Sequence, residues 1–191
     1  MFPDVTRDDV FRLETERLWL RWPCARDVFF IAQEAADPRI AAGDENIPHP
    51  YREGSAAEFV LTARKANYEG EQLILVIAPR ERPDRVIGSI ALAPLSASMA
   101  TLRFWLGHGF WGQGFMTEAT QNLLDLAFRL TPATEFRARA AKSNRAAQRV
   151  LVKSGFVAAQ GGECFVLARH AWAEHYVRLG ANAHNQVEAR A

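Results

Sequence analysis

Polar and apolar positions alternate through residues 16–22 (ERLWLRW) up to Pro23, the pattern of a strand with one buried face. Three further runs, residues 73–78 (LILVIA), 86–92 (VIGSIAL) and 100–106 (ATLRFWL), are separated by proline and polar turn residues and predict a meander at the centre of a sheet. The first is apolar on both faces, so both of its sides should be covered. Residues 27–36 and 55–68 carry helical spacing. After Gly114 the period becomes helical again: Met116, Ala119, Leu123, Ala127 and Leu130 form one stripe, with Thr120, Leu124 and Phe128 beside it. Residues 135–140 and 164–168 predict two more strands. Residues 144–154 predict a helix that stops at Gly155 and Phe156, with Phe156 folding back on Leu151 in a Schellman closure.

Between the first two helices lies a stretch, residues 37–54, with Pro38, Gly43, Pro48, Pro50 and Gly54. Connections of that length are usually binding elements or disordered, and Ile47, His49 and Tyr51 favour a lid over a substrate. Residues 180–191 are polar and predict a frayed end. The expected organisation is an N-terminal extension over 1–14, one domain over 15–173 and a tail over 174–191.

Composition narrows the function classes. The chain has 191 residues, hydrophobic residues at 49% and a net charge of +1, so it lacks the global positive field of a protein that neutralises nucleic-acid phosphates. Any anion site must be local. Cys24 and Cys164 offer neither a CxxC pair nor zinc spacing, and no metal is expected. Asp4, Arg7, Asp8, Asp9, Arg12 and Glu14 leave no room for a signal peptide in the first residues, and no apolar run is long enough for a membrane span. A cytoplasmic location is the expectation, with no membrane or direct nucleic-acid partner.

The segment WLGHGFWGQGFMTEA, residues 105–119, carries the most chemistry. A strand runs through Gly107, Gly109, Gly112 and Gly114 directly into an amphipathic helix. Glycines let backbone N–H groups approach a ligand, and the free N–H groups and positive dipole end of the next helix favour a phosphate or pyrophosphate. Gly107, Gly109 and Gly112 also spell GxGxxG, the dinucleotide fingerprint. That motif belongs after the first strand of a βαβ unit, with an acid ending the next strand. Here it follows a meander, and Glu135 starts its strand. A P-loop is excluded by the absence of Gly-Lys-Ser/Thr.

These residues resemble the acyl-CoA pyrophosphate loop of the GNAT superfamily of N-acetyltransferases, most nearly its RimJ and RimL branch. The superfamily pattern Q/R-x-x-G-x-G/A falls on residues 109–114, with Gly109 at the first position, and the branch's Trp-Gly-x-Gly with Thr-Glu-Ala falls on residues 111–114 and 117–119. A second motif, Asn-x-x-Ser-x5-Lys-x-Gly-Phe, falls on Asn144, Lys153, Gly155 and Phe156, with Ala147 at the serine position. TERLWLR at 15–21 and IPHPY at 47–51 also match that branch. The acid often found in the preceding strand is absent, with Thr101 and Arg103 standing there.

The resemblance implies an α+β fold with a central, mostly antiparallel twisted sheet of about six to seven strands and about four helices. It implies acetyl transfer from acetyl-CoA to a primary amine, a protein N-terminus or a small molecule, by direct attack through a tetrahedral intermediate, in a monomer or homodimer. The backbone N–H of Leu106 would polarise the thioester oxygen. Cofactor contacts would come from Leu106, Gly107, Trp111, Gly112, Gln113, Gly114, Phe115, Met116 and Thr117, with Asn144 on the pantetheine arm and Arg149 and Lys153 toward the 3′-phosphate. By residue type alone, Asn144 reads equally as a helix cap, and Arg145, Arg149 and Lys153 as a solvated face. Base candidates are Glu45, His49 and Glu118, with a water chain as the alternative. A non-catalytic acyl-CoA-binding module is the competing reading, encouraged by Ala147 and the missing acid.

Overall fold

The computed structural model describes residues 1–43 and 47–175. Eight strands form one sheet: β1 (Arg12–Glu14), β2 (Leu18–Arg21), β3 (Leu73–Pro79), β4 (Gly88–Pro94), β5 (Met99–Leu106), β6 (Glu135–Arg139), β7 (Val157–Ala158) and β8 (Cys164–Ala168). The spatial order is β1-β2-β3-β4-β5-β6-β8-β7, and every neighbouring pair is antiparallel except β5 with β6. The fold is mixed α and β with a mostly antiparallel sheet, as expected. It exceeds the expected strand number because β1 and β7 pair as short edge strands. Residues 12–14, read as extension, thus join the sheet, and Phe2 is buried in the main core.

The helices are α1 (Val28–Ala35), α2 (Pro38–Ala41), α3 (Ser55–Glu69), α4 (Phe115–Leu130) and α5 (Arg145–Lys153), and another begins at residue 169. The apolar stripe of α4 drives it onto the sheet, where Met116, Ala119, Leu123 and Ala127 join Leu102, Leu106 and Phe136 in the main core. Leu130, expected on that stripe, is 41% exposed because the helix ends there as the chain turns toward β6. On the opposite face, α1 and α3 bury Ile31, Val60, Val76 and Val86 in a second cluster, with Tyr51 and Trp105 against it. β3 therefore has cover on both sides, which explains its unbroken apolar run.

Several local expectations are met atom by atom. Asn144 caps α5, its Oδ1 accepting from the Ala147 amide at 3.0 Å. Gly155 takes φ 86°, the Phe156 amide donates to Leu151 O at 3.0 Å and the Gly155 amide to Val152 O at 3.0 Å, the two bonds of a Schellman closure. The stretch 37–54, expected as a loop throughout, instead opens with the short helix α2, because Asp37 caps it, its carboxylate accepting from the Arg39 amide at 2.9 Å, and Pro38 stands at the first helical position.

Candidate active site

Strand β5 pairs with β4 along its full length, from Ala100 opposite Pro94 to Leu106 opposite Gly88. On its other edge the parallel ladder with β6 stops at Leu102 opposite Ala138. From Arg103 onward the two strands part, and the β5 edge toward β6 is left without a strand partner. In an antiparallel pair successive residues turn their amides to opposite sides. The Gly107 amide donates to Ile87 O at 2.8 Å on the β4 side, so the Leu106 amide faces the fork.

Past Leu106 the chain makes a short 3-10 turn at His108–Phe110 and enters α4 through Gly112 at φ 77° and Gly114 at φ 81°. The Trp111 indole closes this turn by donating to Leu106 O at 2.6 Å. The first intrahelical bond of α4 runs from the Glu118 amide to Gly114 O at 3.0 Å, so the amides of residues 115–117 precede the helical ladder. They lie at its positive end, where an anion is favoured.

Fork and loop open into one cleft of about 1130 Å³. Of the residues expected at the cofactor, Leu106, Trp111, Gly112, Gly114, Phe115, Met116 and Thr117 line it, as do Asn144, Arg149 and Lys153. Gly107 and Gln113 do not. The Gln113 side chain instead donates to Gly109 O at 3.0 Å, and Gly107 backs onto α1. Asn144 also reaches across to donate to Gly43 O at 3.3 Å, tying α5 to the end of α2. Asn144 therefore caps α5 and lines the cleft at once. Arg149 and Lys153 carry no ion pair with a described residue.

The base candidates separate. Glu45 lies outside the described residues. His49 is exposed and does not line the cleft. Glu118 is likewise outside it, its carboxylate accepting from the Thr15 hydroxyl at 2.6 Å, the Arg17 amide at 2.8 Å and the Arg17 guanidinium at 2.7 Å. Arg17 also donates to Gln113 O at 3.0 Å, so Glu118 braces the glycine loop against the start of β2. Burial opposes its charge, but the Thr15 hydroxyl and Arg17 outweigh it and hold the carboxyl below its ordinary value. Its stabilising contribution is therefore complete above the ordinary carboxylate range and lost as pH falls through the lowered value. Glu118→Gln is expected to cost about 1 to 2 kcal/mol at pH 7, after allowance for solvent screening of Arg17. Paired melting curves from pH 7 down to pH 3 check this. The gap should close on acidification, and a gap independent of pH would refute the brace.

One carboxylate emerged only from the structure. Glu34 of α1 is 12% exposed, pairs with Arg85 at 3.3 Å, and lies so close to Gly107 that a Cβ there would meet its Oε2 at 2.2 Å. Burial raises its pKa, with Arg85 opposing. The sequence signal was its place three residues after buried Ile31, on the inward side of the helix.

Residues 17–157 match the acetyltransferase (GNAT) domain family. The chain belongs to that family, whose fold supports acetyl-transfer chemistry in general. Solved structures share the fold. RimJ of Mycobacterium smegmatis in complex with CoA-disulfide superposes with a TM-score of 0.74 at 16% identity, covering 88% of this chain and 94% of that one. A putative ribosomal-protein-serine acetyltransferase from Vibrio cholerae gives 0.71 at 21%, covering 88% and 99%. Spermidine N-acetyltransferase from Vibrio cholerae in complex with CoA and spermine gives 0.67 at 17%, covering 82% and 98%. These relatives fall in several branches, so the family is established and no single branch. No curated protein matches the sequence. Among the described residues there is no cluster of side chains suited to a metal ion and no helix long and apolar enough to cross a membrane.

Proposed function

We propose that this protein transfers an acetyl group from acetyl-CoA to a primary amine, a protein N-terminal α-amine or a small-molecule amine, and that it works in the cytoplasm. The observation that carries this reading is the fork between β5 and β6, which turns the Leu106 amide toward the cleft beside the glycine loop. Acetyl-CoA supplies an activated thioester. The free edge of β5 at Phe104 and Leu106 offers backbone partners to its pantetheine arm, and the amides of residues 112–117 suit its pyrophosphate. Arg149 and Lys153 complement the 3′-phosphate.

The neutral amine attacks the acetyl carbonyl. A C–N bond forms as the carbonyl oxygen gains charge, and the Leu106 N–H stabilises that oxyanion, a contribution worth about 10² to 10³ in rate. The C–S bond then breaks, the thiolate takes a proton, and the amine's surplus proton passes to water. An α-amine, with a pKa of about 8 against about 10 for a side-chain amine, asks less of a base at pH 7. Neither Glu118, consumed by its brace, nor any other single carboxylate is essential. Glu45→Gln and Glu118→Gln should each keep kcat/KM within about 10³ of wild type.

A hundredfold excess of acetyl-CoA over Kd should stabilise the fold by about 2.7 kcal/mol and raise Tm by roughly 5 to 10 °C, with NAD and ATP as controls giving none. No shift with CoA species would refute the cofactor. Ala147 in the cleft, at the serine position of the motif it resembles, favours a second reading as an acyl-CoA-binding module without turnover. CoA release accelerated by an amine decides against it.

A further inference from the structure

Along β5, Ala100, Leu102 and Leu106 point into the core under α4, so Thr101, Arg103 and Trp105 point to the opposite face. Along β6, Phe136 and Ala138 point inward, and Arg137 and Arg139 share the face of Arg103. Register sets Arg137 beside Thr101. Arg103 and Arg139 follow immediately and flank the point where the strands part. Arg103, Arg137 and Arg139 are all exposed and all line the cleft.

The charges around this row do not balance it. Arg137 is engaged by Glu135 at 2.6 Å, and Arg39, from α2, by Asp37. Glu163 lines the far edge. The side chains of Arg103 and Arg139 have no ion pair or hydrogen bond to any described residue. Among the described residues, two guanidinium groups therefore stand without a side-chain partner at the mouth of a cleft in a protein whose net charge is only +1. The near-neutral total disfavours a polyanion such as RNA as their partner.

We infer that this row is a specificity site for the acceptor and that it takes the carboxylates of an acidic peptide whose free N-terminus enters the fork. The inference rests on the acetyl-transfer reading above. Arg103 precedes Leu106 by three residues, about 10 Å along a strand, and an extended peptide spans that distance in about three residues. An amine held at Leu106 thus places the acceptor's second to fourth side chains over Arg103 and Arg139. Carboxylates there meet planar donors suited to bidentate pairing. A basic segment would meet like charge.

The test uses the full chain saturated with CoA and four labelled or free ligands: the peptides Ser-Glu-Glu-Ala, Ser-Gln-Gln-Ala and Ser-Lys-Lys-Ala, and aspartate. At low salt, the acidic peptide is expected to bind at least about tenfold more tightly than its glutamine counterpart, and the lysine peptide least well. The combined variant Arg103→Gln, Arg139→Gln should bring the acidic and glutamine peptides within about twofold of each other while CoA affinity and Tm stay unchanged. Equal binding of the two peptides to wild type overturns the inference, as does a preference that survives the double variant. Loss of CoA affinity in that variant would assign the row to the cofactor instead. Aspartate binding as tightly as the acidic peptide would replace the peptide by a small acidic amine and also overturn it. With acetyl-CoA in place of CoA, acidic preference in binding without CoA release would fail the acetyl-transfer reading and leave the site. CoA release indifferent to peptide charge would do the reverse.

Discussion

Gly114→Val is expected to weaken acetyl-CoA binding by about 10²-fold or more, because the loop that presents the α4 amides is built on a backbone conformation valine resists. Gly114 sits at φ 81° and Gly112 at φ 77°, two left-handed residues within three positions. A left-handed conformation costs an L-residue about 1 to 2 kcal/mol, and more when it is β-branched. Space is not the obstacle at Gly114, where a Cβ would lie 3.4 Å from the Arg17 guanidinium. The chain relieves the strain by straightening, and that swings the amides of residues 115–117 out of the cleft. Gly109 supplies the control. It has no positive φ, and a Cβ there would meet nothing within 4 Å. Gly109→Val should keep Kd within about threefold, since exposed substitutions without strain are nearly neutral. Titration calorimetry on folded protein checks both. Gly112→Asn, whose side chain tolerates the left-handed region, should retain most of the affinity. Equal losses at 109 and 114, or none at 114, would mean that the loop does not bind through its backbone.

What was legible in the sequence was local. The α4 stripe, the glycine loop and the closure at Gly155 each lie within one stretch of chain, where spacing and residue type act directly. β1 has a single apolar residue, Leu13, between Arg12 and Glu14, and β7 is two exposed residues, so neither carries a period. They exist because neighbouring strands offer an edge to pair with. The fork depends on where the β5 and β6 ladder ends, and those strands are joined through the whole of α4. No local pattern reports that register. For the same reason the row of Arg103, Arg137 and Arg139 was invisible, although each arginine was plain. The base candidates show the converse. Glu118 belongs to a recognisable motif, yet its carboxylate is engaged by Thr15 and Arg17, about a hundred residues away in sequence. Glu34 carries no motif, and only the packing of α1 against the strand end brings it to Gly107.

Gly88→Ala is expected to destabilise the fold by about 3 kcal/mol and to lower kcat more than it changes CoA affinity. Gly88 is buried opposite Leu106, and a Cβ there would stand 2.4 Å from Trp105 O and 3.1 Å from Leu106 Cα. Both are backbone atoms, so no side-chain rotation makes room. β4 and β5 must separate at the place where the Gly107 amide is bonded to Ile87 O and the Leu106 amide is thereby aimed at the fork. The strand separation costs stability, which for a chain of this size should appear as a fall in Tm of roughly 6 to 12 °C. It also misdirects the Leu106 N–H, which forfeits part of an oxyanion contribution of about 10² to 10³. The amides of residues 115–117 belong to α4 and its loop, beyond that displacement, so the pyrophosphate contacts persist and Kd for CoA should rise by no more than about tenfold, through the pantetheine edge of β5. Ser89→Ala separates the two effects. It removes the hydroxyl bond to Leu75 O at 2.8 Å on the β3 side and should cost about 1 kcal/mol with kcat nearly unchanged. If Gly88→Ala lowers kcat no further than Ser89→Ala does, the Leu106 amide is not the group that stabilises the oxyanion.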